Sequence, residues 1–130
     1  MAKALGGTVT RNPVKEIGWG AVTVADTDSA RAWFGDVTEF EAFHWHGETF
    51  SLPPAAELLL SSPYCAHQAF TLGKHLALQC HVEMTEAMIA EWCAYGASEI
   101  EASDSPAVSS ADAIVAHSAA NLMEMRLVAE

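Results

Sequence analysis

Short apolar runs rich in β-branched residues fill the first eighty positions, and helical spacing takes over after them. Residues 2–5 followed by Gly6-Gly7 read as the last turn of a helix with its glycine stop. Residues 8–10 and 17–24 predict two strands separated by a turn at Asn12-Pro13. Residues 28–34 predict a short helix capped by Asp26 or Thr27 and ended by Gly35-Asp36. Residues 40–45 alternate loosely as a strand that runs into a polar corner at His46-Gly47-Glu48, and Leu52-Pro53-Pro54 breaks the chain. Residues 58–61, 68–72 and 75–79 predict three more strands, the last two joined by a hairpin at Gly73-Lys74.

From residue 85 to 94 the apolar positions Met88, Ile89, Trp92 and Cys93 recur at i, i+1, i+4 and i+5, which is helical spacing. Residues 99–110 are acidic, serine-rich and interrupted by Pro106, and predict a loop whose acids are solvated. Residues 110–128 predict a long helix with Ile114, Val115, Leu122, Met125 and Leu127 on its buried face. The order of strands followed by flanking helices predicts a mixed α/β layered domain. Trp19, Trp33, Trp45 and Trp92 are expected in the core or at an interface, and Met123 and Met125 in helix packing.

At 130 residues the chain has room for one domain, and 51% hydrophobic with 18% charged residues describes a globular protein. A net charge of −11 with only 6 Lys and Arg argues against nucleic acid and against anionic membrane surfaces. No apolar run approaches the ~20 residues of a membrane span, and the N-terminal residues lack a signal-peptide layout. Cys65, Cys80 and Cys93 are odd in number and widely spaced, which suits reduced thiols in the cytoplasm.

The candidate chemistry gathers at Gln79-Cys80-His81-Val82-Glu83. Positions 81 and 83 along an extended segment point to one face, with Cβ atoms roughly 6.5 Å apart. A base and the acid that orients it can therefore share one sheet edge. A metal set drawn from His44, His46, His81 and Glu83 is the alternative, although no recognised zinc-ligand spacing is present.

The motifs Arg11-Asn12-Pro13, Glu16-Ile17-Gly18-Trp19, Phe43-His44-Trp45-His46-Gly47-Glu48-Thr49-Phe50-Ser51-Leu52-Pro53, Ser61-Ser62-Pro63 and Gln79-Cys80-His81-Val82-Glu83-Met84-Thr85 occur in series. Together they resemble the class I glutamine amidotransferases, particularly the stand-alone, GMP-synthase-like branch, over residues 2–92. The resemblance implies the C-terminal portion of a flavodoxin-like three-layer domain. It would be a single partial domain over residues 1–130, with motifs in 2–93, a last helix near 110–128, and the N-terminal parallel strands lacking.

The resemblance also implies a Cys-His-Glu glutaminase that needs no cofactor. A cysteine at a strand-to-helix elbow attacks the glutamine amide and gives a thioester and ammonia. By match to the family's Gln-Phe-His-Pro-Glu motif, His81 is expected to be the general base and Glu83 its orienting acid. Cys80 stands here for Phe and Val82 for Pro, and neither change touches the catalytic side chains. His46-Gly47 matches a loop that contacts glutamine largely through backbone groups, where a side chain at Gly47 would block the approach.

The family's nucleophile lies in a Gly-x-Cys-x-Gly elbow before a helix ending in Gly-Gly, and residues 1–130 hold no counterpart of that elbow. Cys80, Cys65 and Cys93 do not have the expected nucleophile-beside-base geometry. The chain alone is therefore expected to be inactive. Two other readings stay open. One is a non-catalytic interaction module that self-associates, or half of a split enzyme completed by an N-terminal half or a synthase partner. The other is a small metal-binding protein.

Overall fold

The computed structural model describes residues 1–130. A single 3₁₀ turn, Ala2–Leu5, opens the chain and closes at Gly6, whose φ of 91° is left-handed. Val9–Val24 forms β1, Glu39–Phe50 β2, Glu57–Ser62 β3, Cys65–Leu72 β4, His75–Leu78 β5 and Ala107–Val108 β6. The helices are Asp28–Phe34 (α1), Glu86–Tyr95 (α2), Ala97–Glu101 (α3) and Ala111–Ala129 (α4). These strands make one sheet in the order β2-β1-β3-β4-β5, with β6 on β1. All pairings are antiparallel except that of β6. A mixed α/β fold with flanking helices is thus what the chain adopts, as its pattern predicts.

The predicted turn at Asn12-Pro13 is instead an irregularity inside one continuous β1. The register jumps between Arg11, opposite Glu48, and Glu16, opposite His46. Pro13 has no N–H to give the ladder, so the strand bulges rather than ends. The Asn12 amide holds the bulge by donating to the carbonyls of Val14 (2.6 Å) and Tyr64 (2.9 Å). The polar corner expected at His46-Gly47-Glu48 is likewise strand, because β2 stays paired with β1 as far as Phe50.

The two faces of the sheet bury different cores. Ile17, Phe43, Met84, Ile89, Cys93, Ile114, Leu122 and Met125 pack together beneath α2 and α4. Val22, Ala30, Phe40, Ala42, Leu59, Leu60, Ala69 and Cys80 form the other cluster, which α1 helps to cover. Burial at roughly 25 cal/mol per Å² of apolar surface makes these clusters the main stabilising term. Thr27 caps α1, Thr85 caps α2 and Ser110 caps α4, each accepting a backbone N–H through its side chain.

The buried face of α4 is Ile114, Ser118, Leu122 and Met125. Val115 and Leu127 are exposed, contrary to expectation: Val115 sits at the edge of that stripe, and Leu127 lies well over about 100° around the helix from its centre. Met123 is exposed for the same reason as Leu127. Ser118 fits the apolar stripe by donating its hydroxyl to the Ile114 carbonyl at 2.8 Å. The loop predicted for residues 99–110 contains the end of α3 and all of β6. Ser105 Oγ, donating to the Lys15 carbonyl at 2.6 Å, helps to dock this segment on β1.

The apolar strand expected over residues 75–79 forms, but it is not a buried one. β5 is the edge of the sheet, it ends at Leu78, and its residues are half-buried or exposed.

Candidate active site

Beyond β5 the chain crosses to β2. His81 N–H donates to the Phe43 carbonyl at 2.8 Å, and Phe43 N–H donates to the His81 carbonyl at 3.2 Å. This isolated bridge fixes the backbone of His81 to the centre of β2. Glu83 lies two residues on, and its Oε1 stands 2.7 Å from His81 Nδ1. The second carboxylate oxygen accepts the Val82 N–H at 3.0 Å. Partial burial opposes charge on Glu83, but the bond from His81 and those from the local backbone outweigh it and hold its carboxyl below the usual range.

With Nδ1–H given to Glu83, the free imidazole nitrogen is Nε2, the arrangement of an oriented base. Trp92 of α2 packs against the ring with centroids 5.0 Å apart at 84°. The His81 side chain keeps 26% of its surface accessible, enough for a reactant to meet it. Trp92 escaped the sequence reading as a site residue because its helical spacing accounts for it as core. In the structure it touches both Phe43 and the candidate base.

The three thiols lie apart from this pair in character and place. Cys80 is buried in the second core, and burial pushes its thiol up to about 12. Cys93 is buried in the first core, where desolvation also raises it. Cys65 is buried at the start of β4, near Thr49 Oγ1 and the His67 carbonyl. Buried thiols of this kind, enclosed by the fold and away from solvent, are poor nucleophiles.

The His46 side chain turns inward. Its Nε2 lies 3.1 Å from Glu16 Oε2, with both side chains less than a tenth exposed. Gln68 donates to the same carboxylate at 2.7 Å and Ser62 donates to Oε1 at 2.8 Å. Burial works against charge on Glu16, and the partners His46, His44 and Ser62 reverse that and hold its carboxyl below the usual range. His44 is pushed down by burial, despite the nearby Glu16 carboxylate.

Glu16, His44 and His46 thereby each bring a potential ligand atom within 4.8 Å of the others. The metal set read from sequence is corrected by this geometry: His81 and Glu83 stay outside the cluster, and Glu16 takes their place. Glu16 and Gln68 were missed as site residues. The available signal was a carboxylate in the otherwise uncharged, apolar run from Glu16 to Val24.

Gly47 presents its backbone to a surface cavity of about 430 Å³, whose walls include Trp45, Phe50, Phe70 and Gln79. His81 and Glu83 are not among its lining residues. A Cβ at Gly47 would meet only Lys15, at 3.4 Å, so no neighbour within this chain demands glycine there. The Gln79 amide donates to the Glu48 carbonyl and ties the approach to His81 to the same strand.

No family model matches the chain. It is 32% identical over 89 residues to the glutamine amidotransferase-like protein YfeJ of Salmonella typhimurium, a match covering 65% of this chain and 36% of YfeJ. The crystal structure of a glutamine amidotransferase from Methylobacillus flagellatus superposes with a TM-score of 0.94 at 39% identity, covering 98% of this chain and 54% of that one. A glutamine amidotransferase from Thermotoga maritima superposes at 0.83 with 25% identity, again over 98% of this chain and 54% of that one. The chain therefore spans about half the length of these structural relatives and about a third of YfeJ. Fold and sequence agree with these glutamine amidotransferases over nearly the whole length of this chain, which supports the class I glutamine amidotransferase family for it.

Proposed function

We propose that this chain supplies the base-bearing part of a glutamine amidotransferase site, in a single domain over residues 1–130 that is one portion of the family's domain. The observation that carries this reading is the 2.7 Å contact between His81 Nδ1 and Glu83 Oε1, with the ring still accessible. His81 takes the proton of an attacking thiol and later delivers it to the departing ammonia. Glu83 holds the ring and stabilises the imidazolium between those steps. The thiolate adds to the side-chain amide carbon of glutamine, the carbon–nitrogen bond breaks, and water hydrolyses the thioester to glutamate. The His46-Gly47 backbone contributes to holding the glutamine.

None of Cys65, Cys80 and Cys93 serves as that thiol, since all are buried and burial disfavours the thiolate of Cys80 and Cys93. The nucleophile comes from outside these 130 residues, from an N-terminal half, and the ammonia goes to a synthase partner. On this reading the isolated chain releases no ammonia in the cytoplasm, where reduced thiols suit it.

Ammonia release from glutamine tests the proposal. The chain alone should give none, and co-expression with a Gly-x-Cys-x-Gly-bearing half should restore it, with loss on His81→Ala. Turnover by the isolated chain, or restored turnover that survives His81→Ala, would overturn it. A stable complex without turnover would favour a non-catalytic interaction module instead.

A further inference from the structure

Apart from the His81–Glu83 pair, the sheet encloses a second group of nitrogen and oxygen donors. We propose that Glu16, His44 and His46 bind a single divalent transition-metal cation of the zinc type. Their potential ligand atoms all lie within 4.8 Å of one another, and Glu16 and His44 are buried. Tetrahedral zinc with bonds near 2.0–2.1 Å places neighbouring ligand atoms about 3.3 Å apart. His46 Nε2 and Glu16 Oε2, at 3.1 Å, already stand near that separation.

The outer contacts of both rings suit such a centre. His44 Nε2 lies 3.1 Å from the Gly20 carbonyl, and His46 Nδ1 lies 3.2 Å from the Glu48 carbonyl. A carbonyl can only accept, so each fixes a proton on the nitrogen facing it and leaves the other nitrogen as a lone pair. A proton shared between His46 and Glu16 would satisfy that one contact without a metal. It would leave His44 Nδ1 buried with no partner, as it is here. A bound cation satisfies both rings and offsets the buried carboxylate at once.

Two imidazoles and a carboxylate favour zinc, cobalt(II) or nickel(II) over magnesium and calcium, which prefer oxygen. Three protein ligands leave one position open. Glu16 and His44 also line a cavity of about 180 Å³ beside Gly20 and Tyr64, where water or a small anion can complete the shell. Gly20 keeps room for His44, since a Cβ there would come within 3.2 Å of its ring.

Zinc chloride titrated calorimetrically into the chelator-stripped, full 130-residue chain, with magnesium chloride as control, tests the site. The expected result is one zinc per chain, no magnesium binding at the same concentrations, and cobalt(II) absorption bands of a four-coordinate ion. Affinity should fall at least about tenfold in His44→Ala and in Glu16→Gln, the lower end of what even outer-shell changes cost. His81→Ala and His117→Ala should bind as the parent does. Circular dichroism confirms the fold of each variant, and His44→Phe decides the matter if Glu16→Gln fails to fold. Absence of stoichiometric zinc binding by the folded chain would overturn the proposal. So would zinc binding that survives His44→Ala or His44→Phe and vanishes in His81→Ala or His117→Ala. The readout requires no turnover, so it stands apart from the amidotransferase assay.

Discussion

The indole of Trp92 stands nearly perpendicular to the imidazole of His81, with ring centroids 5.0 Å apart. Phe43 and Trp45 meet the same indole at 6.2 and 5.9 Å, so one side chain of α2 joins the first core to the candidate base. Trp92→Ala should cost about 2–3 kcal/mol in chemical denaturation, less than a fully enclosed tryptophan because Trp92 is only half-buried. In the reconstituted enzyme it should lower kcat more than it raises KM, whereas Trp92→Phe should recover most of both.

Glu83 sets the tautomer of His81. Nitrogen-15 NMR of the imidazole should show the proton on Nδ1 in the parent chain. In Glu83→Gln that population should fall and the ring should sample both tautomers, because the charged acceptor is gone. An unchanged spectrum would mean that the 2.7 Å contact does not orient the ring.

Glu16 is the most consequential buried acid. Glu16→Ala should destabilise the fold by roughly 1–3 kcal/mol at pH 7, the range for leaving buried hydrogen-bond donors such as those of Ser62 and Gln68 without their acceptor. Its folded-state carboxyl is held below the ordinary 4.5. The contribution is therefore fully present above about pH 4.5, and it is lost as pH falls through the lowered folded value. Denaturation curves of parent and variant should converge at acidic pH and diverge toward neutrality.

Gly96 is required for steric reasons, not for its backbone angles. A Cβ there would fall 2.2 Å from a carbon of the Trp45 ring. Trp45 cannot easily withdraw, since its Nε1 donates to Glu99 Oε2 at 3.0 Å and its ring abuts Trp92. Gly96→Ala should lower stability by about 1–3 kcal/mol, the usual range for overpacking, as read from the denaturation midpoint.

Cys80 should resist alkylation in the native chain. Its thiol is 2% exposed and raised to about 12, so iodoacetamide at pH 8 should label it only after denaturant is added. Mass spectrometry of native and unfolded samples checks this directly. Rapid native labelling would place the thiol in solvent and reopen its candidacy as a nucleophile.

Local patterns carried much of the fold and part of the site. Thr27, Thr85 and Ser110 act as caps where the sequence places helix starts, and Gly73, at φ 60°, turns the β4–β5 hairpin. Residue spacing puts His81 and Glu83 within reach of each other, and the fold brings them together. Long-range pairing was less legible. Asn12-Pro13 looks like a turn because both residues favour turns, yet a partner carbonyl at Tyr64, far along the chain, keeps the strand continuous. His46-Gly47-Glu48 looks like a corner because its composition is polar. Its polarity is instead spent inside the sheet, where Glu16 and Gln68 receive His46. β6 has two residues, too few for any periodicity to show.

The long strand β1 pairs with β2, β3 and β6, while Gly18 lies close under Ile114 of α4. No flexible joint therefore separates the half of the sheet that carries His44 and His46 from the half that carries Gln68 and leads to His81. Thermal agitation cannot open one without disturbing the other, so this portion of the protein should melt as a single cooperative unit. A partner docked beside Gly47, on the reading proposed above, would meet a rigid wall.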